Sequence, residues 1–351
     1  MRTALLAMIF AAYGCGGSGD TTSSEAPDTA PLDAPSEATA PDADADAAAD
    51  TTIAPADFRA KGPATVSKVD GKVNDVAVHA LVPSGPAPAS GWPAVIFAHG
   101  FQLNPKQYDD ILGHVASWGW VVVSTDYVAS LVSNDHRKVR QAIVDAKNAA
   151  LAGTITGVPK IDPARVAASG HSLGGKCATW AAIGDKGFAA TFVLDPVDGG
   201  GPFDTVSTPE RPFLISTGEV GKLTTPIGYV GATQSRCKKL GTACAPEGRD
   251  AKAFFDATPA SVARFVWPIF DFGHMQFLDD PACGFTCDAC VVGKSDAAAR
   301  RDAIKALFVA FLARTVLGDA SAQTWLDGER RTALVTAKLV WDGKTERPAC
   351  P

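Results

Sequence analysis

In the stretch Gly170-His171-Ser172-Leu173-Gly174-Gly175 a serine sits among glycines, preceded by the apolar run "RVAASG" and followed by the helix-forming run "SLGGKCATWAAIG". That setting, strand then serine then helix, holds a serine on a sharp, strained turn with its hydroxyl accessible. Small neighbours let the backbone close and a reactant approach, and the helix starting behind Ser172 turns its partial positive end toward the reacting centre. A serine hydroxyl attacks only when a base takes its proton, and histidine titrates in the useful range. Sites of this kind run serine, acid, histidine along the chain, and of the 6 histidines only His274, in "DFGHMQF", lies downstream of Ser172. His171 is expected to pack against or orient the turn, and His79, His114 and His136 to be structural. The base needs a carboxylate to set its tautomer and stabilise its cation. Asp195 in "TFVLDPVDGG" and Glu219 in "FLISTGEVG" both fall at expected strand ends, Asp198 and Asp271 are weaker candidates, and spacing leaves the choice open. Negative charge developing on a carbonyl oxygen needs two backbone donors. The amide of Leu173 is one, and the loop "FAHGFQLN", shaped by His99 and Gly100, offers Phe101 as the other. The chemistry these groups suit is acyl transfer through a covalent serine ester, which needs neither cofactor nor metal.

The elements that must position them follow from the periodicity. "PAVIFAHG" reads as a buried strand, "NPKQYDDILGHVASWG" as a helix ending at Gly119, and "WVVVSTDY" as the next strand. A helix from Asp135 to Ala152, the strand and helix around Ser172, and strands at "FAATFVLDP", "RPFLISTG" and "ARFVWPIF" continue the alternation, which closes in a helix from about Ala297 to Arg314. Repeated strand–helix units predict an α/β fold with a mostly parallel central sheet covered by helices on both faces. Residues 58–351 are expected to form one such domain, with a small extension from about 320 to 351 that reads as a hairpin pinned by Cys350.

The 351-residue chain is 46% hydrophobic and 20% charged, the balance of a protein able to bury a sizeable core. Its first 15 residues carry one cation, Arg2, before an apolar run from Ala4 to Ala12 too short to span a bilayer. This is the pattern of an export signal. Gly14 before Cys15, followed by "GGSGD", resembles a lipoprotein cleavage site at which Cys15 would carry a lipid, so the protein is expected in the cell envelope or secreted. From Gly16 to Asp57 there are ten acidic residues, no base and no aromatic side chain, a composition that predicts a disordered tether. The net charge of -6 comes from that tether: beyond it 31 basic residues face 28 acidic ones, which does not suit a nucleic-acid partner. Six of the 8 cysteines (Cys237, Cys244, Cys283, Cys287, Cys290 and Cys350) read in an exported chain as up to three disulfides. The spacing in "CGFTCDAC" suits zinc poorly. Cys177 reads as a small buried side chain.

With these segments in place the chain resembles the chlorophyllase-type α/β-hydrolases, a group related to platelet-activating-factor acetylhydrolases and polyester hydrolases. "PAVIFAHGFQLN", "HVASWGWVVVSTD", "SGHSLGGKCA", "LDPVDG", "CAPEGRDAKAFF" and "FGHMQFLDD" resemble family segments in the same order, over roughly Val73 to Leu312. The resemblance implies Ser172 as nucleophile, Asp195 rather than Glu219 as acid, and His274 as base. It implies hydrolysis of an ester with an apolar alcohol, as of chlorophyll to chlorophyllide and phytol. Two departures bear on the substrate: Leu173 stands where the plant pattern usually has arginine, and an export signal replaces plastid targeting. The alternatives are a lipase, acetylhydrolase or polyester hydrolase of the same fold, and a binding protein on a retired hydrolase frame.

Overall fold

The computed structural model describes residues 56–130, 133–199 and 206–351. The expected export signal with Cys15 and all but the last two residues of the expected tether lie outside the described residues.

A hairpin that the sequence pattern does not announce opens the fold. β1 (Val66–Val73) and β2 (Val76–Pro83) pair antiparallel across Asn74 and Asp75, at φ 48° and 67°, the backbone of a tight two-residue turn whose twist suits paired strands. The expected alternation follows: β3 (Trp92–Ala98), α1 (Asp109–Ser117), β4 (Val121–Asp126), α2 (His136–Leu151), β5 (Ile161–His171), α3 (Leu173–Gly184) and β6 (Ala190–Leu194). Next come β7 (Ile227–Ala232), a small hairpin of β8 (Lys238–Lys239) and β9 (Thr242–Ala243), α4 (Ala251–Ala257) and β10 (Arg264–Ile269). The short α5 (Phe285–Asp288), the long α6 (Ala297–Thr315), α7 (Gln323–Leu326) and α8 (Glu329–Thr336) complete the chain.

The main sheet has 8 strands in the order β1-β2-β4-β3-β5-β6-β7-β10, antiparallel at the β1 and β2 edge and parallel from β4 to β10. Its central strands are continuous apolar runs because both faces are covered. Ile111, Leu112 and Val115 of α1 pack with Leu307, Phe308 and Phe311 of α6 on one side, where Phe192 of β6 stacks on Phe308 at 4.2 Å. Ile143 and Ala146 of α2 with Cys177 and Ala178 of α3 fill the other. Each large aliphatic or aromatic side chain so buried stabilises the fold by roughly 1.5–3 kcal/mol. Parallel strands present all their C-terminal ends along one edge, and the loops after β3, β5, β6 and β10 therefore gather there.

Two expectations are corrected. "RPFLISTG" is a series of turns, not a strand, because the amides of Leu214 and Ile215 donate to the Asp198 carboxylate, each at 2.8 Å, instead of to a sheet neighbour. The place beside β6 belongs to β7, "IGYVGA", whose glycines disguise it. A Cβ on Gly228 would lie 2.8 Å from the Trp267 ring and 3.0 Å from Phe192, so the aromatic layer under β7 leaves no room for a side chain. The C-terminal extension is helical rather than a hairpin: Trp325, Leu326 and Leu334 of α7 and α8 are buried, and the Trp267 indole donates to the Leu326 carbonyl at 3.0 Å. Its strand character is one antiparallel bridge, Val340 to Ile269. Cys350 does pin it, through a disulfide to Cys237.

Because three aromatic side chains close on Gly228, Gly228→Ala is expected to cost about 1–3 kcal/mol through overpacking. Urea denaturation of the two proteins checks this, with a lower midpoint and an unchanged slope expected.

Candidate active site

Ser172 lies between the last residue of β5 and the first of α3 at φ 56° and ψ −122°, a conformation that costs a non-glycine residue on the order of 1–3 kcal/mol. The glycines around it are needed for contact. A Cβ on Gly174 would fall 2.1 Å from the Ala98 carbonyl oxygen, and one on Gly170 would fall 2.4 Å from Gly174 itself. Backbone from β3 thus runs against the start of α3, and the loop after β3 lies beside Ser172.

The structure brings Ser172, His274 and Asp195 together. The Ser172 hydroxyl lies 2.9 Å from His274 Nε2, and His274 Nδ1–H donates to Asp195 Oδ2 at 2.7 Å. Relative exposures of 8%, 3% and 1% for Ser172, His274 and Asp195 leave only the hydroxyl end open. Asp195 ends β6 at φ 41°, and its carboxylate is held on every side. The Ala232 amide donates to Oδ1 at 3.0 Å and the Ser235 hydroxyl to Oδ2 at 2.5 Å, so the carboxylate is aimed at His274 before any ligand arrives. Glu219 instead pairs with Lys222 at 2.5 Å. Asp198 is buried: its carboxylate accepts from the Leu214 and Ile215 amides and lies 3.5 Å from the Lys176 ammonium, and Asp271 accepts from Gln234 and Ser295.

The two residues expected to donate, Phe101 and Leu173, line one cleft. Leu173 supplies the first amide of α3, which has no acceptor within its helix. Phe101 lines the same cleft as Ser172, Leu173 and His274. Among the described residues its amide meets no acceptor, whereas that of Gly100 is already used, donating to Tyr108 Oη at 3.1 Å. His99 stacks on Tyr127 at 4.1 Å and donates from Nδ1–H to the Gly100 carbonyl at 2.7 Å, fixing the loop from its other side.

His171 does more than fill the turn. Tyr108 Oη donates to His171 Nδ1 at 2.8 Å, and His171 Nε2–H donates to the His274 carbonyl at 3.0 Å. One buried chain, Gly100 amide to Tyr108 to His171 to His274 carbonyl, therefore ties the Phe101 loop to the His274 loop. Burial keeps Tyr108 protonated, its pKa raised, and keeps His171 neutral, its pKa held well below the ordinary range with help from nearby His274. Ser235 and Tyr108 carry no motif; they reach the site across 40 and 63 residues of sequence, from Asp195 and His171 respectively, and only the fold reveals them.

The cleft above Ser172 is mainly apolar, lined by Phe101, Leu103, Val197, Pro246, Met275 and Phe285. All six expected cysteines are paired, as Cys237–Cys350, Cys244–Cys290 and Cys283–Cys287. Cys177 is a buried free thiol whose pKa burial pushes up to about 12, which makes it inert. Among the described residues no group of His, Cys, Asp or Glu is set to hold a metal ion.

A mostly parallel sheet carrying a positive-φ serine between strand and helix, with a histidine and an aspartate on the following loops, defines an α/β-hydrolase. The family model described as Chlorophyllase matches residues 59–339. Chlorophyllase-1, chloroplastic, of Citrus sinensis is 30% identical over 244 residues, 67% of this chain and 72% of that protein. Chlorophyllase-1 of Arabidopsis thaliana is 28% identical over 249 residues, 67% and 75% of the two chains, and Chlorophyllase-2 of the same plant 27% over 253 residues, 68% and 78%. The chain belongs to the chlorophyllase family of carboxylic ester hydrolases.

Several histidines of this domain are buried and uncharged: burial lowers the pKa of His99 and His171, and lowers His136 to about 3 with help from the Lys176 charge. Below about pH 6.5 the unfolded chain binds protons on these rings and the folded chain does not. Stability present at neutral pH is therefore lost as pH falls below that value, by up to about 1.4 kcal/mol per pH unit for each ring. Asp250 and Asp279, raised by burial, act in the opposite sense in the carboxylate range. Urea midpoints are expected to change little from pH 7.5 to about pH 6.5 and to fall progressively from there to pH 5.5.

Proposed function

We propose that this protein hydrolyses a carboxylic ester with an apolar alcohol through an acyl-enzyme on Ser172. The observation that supports this most is the continuous chain from Ser172 Oγ through His274 to the saturated Asp195 carboxylate, lying under an apolar cleft. His274 Nε2 takes the hydroxyl proton as Oγ attacks the ester carbonyl. Asp195 stabilises the resulting imidazolium, and the amides of Phe101 and Leu173 receive the charge on the carbonyl oxygen. Collapse of the tetrahedral intermediate breaks the bond to the alcohol, which leaves with the proton from His274. Water, deprotonated by the same ring, then attacks the acyl-enzyme and releases the acid and Ser172. No step calls for a cofactor.

The relatives are chlorophyllases by name, and an ester of the chlorophyll type, giving chlorophyllide and phytol, is the first substrate to test. A second reading, a broader lipase, acetylhydrolase or polyester hydrolase, draws on Leu173 in the position after Ser172 and on a cleft of only about 140 Å³. Three disulfides in one domain fit an oxidising compartment, in keeping with export as a secreted or Cys15-anchored protein behind an acidic tether.

The test is release of p-nitrophenol from a butyrate ester and of chlorophyllide from chlorophyll a, by the protein and by Ser172→Ala. Turnover is expected to fall about a million-fold in the variant. Chlorophyllide release lost with it identifies the pigment ester, and short-ester turnover alone identifies a general carboxylesterase. Activity that survives Ser172→Ala overturns the mechanism.

A further inference from the structure

One wall of the cleft is built from two segments with very short elements of secondary structure, anchored on the core through Cys287 and Cys290. One is Ala243, Cys244 and Pro246, following the two-residue strands β8 and β9; the other is Phe285, Thr286 and Ala289, on and beside the four-residue helix α5. Elements this short have no stability of their own. They are joined by the Cys244–Cys290 disulfide, both of whose cysteines line the cleft. The Cys283–Cys287 disulfide closes the α5 segment on itself. Thr286 Oγ1 donates to Gln102 Oε1 at 3.2 Å, joining that segment to the loop carrying Phe101.

The space inside this wall is about 140 Å³. That is close to the roughly 150 Å³ cavity that accepts one benzene molecule, so it takes a group of about six carbon atoms. Phe285 is 81% exposed while lining the cleft, which puts an unprotected aromatic ring at its mouth.

We propose that the Cys244–Cys290 disulfide is a specificity-determining wall. It limits the buried part of the ester to a compact apolar group of about six carbons and leaves any larger remainder outside, against Phe101 and Phe285. This rests on the esterase reading above. Wall and pocket are one object: a covalent link sets the separation of the two segments, and that separation sets the volume.

The experiment uses the folded, oxidised protein and a p-nitrophenyl ester series with acyl chains of two to twelve carbons. Its kcat/KM is expected to fall at least tenfold between six and ten carbons. In Cys244→Ser/Cys290→Ser the ratio of ten-carbon to four-carbon kcat/KM is expected to rise at least tenfold, the other two disulfides remaining intact. Ala289→Leu, which retains the disulfide and narrows the same space, is expected to shift the fall to shorter chains, and it serves if the double variant does not fold. A profile without a fall in the oxidised protein, or one unchanged in both variants, overturns the proposal. Loss of short-ester turnover in Ser172→Ala, measured alongside, keeps the esterase reading separate: that reading fails only if the turnover persists.

Discussion

The contact between the end of β3 and the start of α3 governs the rest of the site. Two backbones approach so closely at Gly174 that no side chain fits between them, since the Ala98 and His99 carbonyl oxygens would lie 2.1 and 2.3 Å from a Cβ there. This contact sets the loop that leads to Phe101 beside the start of α3, where Leu173 supplies the first amide. Ser172, two residues before Gly174, stands at positive φ. The surrounding core offsets that strain, because β5 is hydrogen-bonded on both sides and α3 is buried along most of its length.

The remaining groups are delivered by the parallel topology and then locked by hydrogen bonds from distant parts of the chain. β6, next to β5, places Asp195; β7, next to β6, turns into the segment whose Ala232 and Ser235 hold that carboxylate. β10 leads to His274. The chain through Tyr108 and His171 then connects the loop after β3 to the loop after β10 beneath the site. Such preorganisation is how a serine site stabilises a transition state without rearranging during the reaction. The Cys237–Cys350 disulfide closes the C-terminal segment onto the same region, where Gln234 donates to the Ala349 carbonyl.

Much of this was legible in the sequence, for identifiable reasons. Ser172 and His274 could be read because a strained turn demands glycines and because chain order leaves one histidine. The choice between Asp195 and Glu219 could not be made by spacing. "RPFLISTG" has the composition of a strand, but its amides are taken by Asp198, and the true neighbour of β6 hides behind Gly228, which is glycine because aromatic rings occupy its side-chain space. Resemblance to the family, not periodicity, favoured Asp195. The C-terminal extension has the pattern of a hairpin in the sequence because its apolar residues, Trp325, Leu326 and Leu334, are too few to show a helical period until the domain they cover is known. Ser235 and Tyr108 were illegible, because a hydroxyl that orients another side chain across tens of residues leaves no local pattern.

The proposed mechanism requires that Ser172 become covalently acylated. Mass spectrometry of the intact protein after a fluorophosphonate reagent, followed by peptide mapping, tests it most directly. A single adduct on the peptide carrying Ser172 is expected, prevented by prior incubation with a slowly turned-over ester. An adduct on another residue, or full ester hydrolysis by protein carrying the label on Ser172, would contradict it.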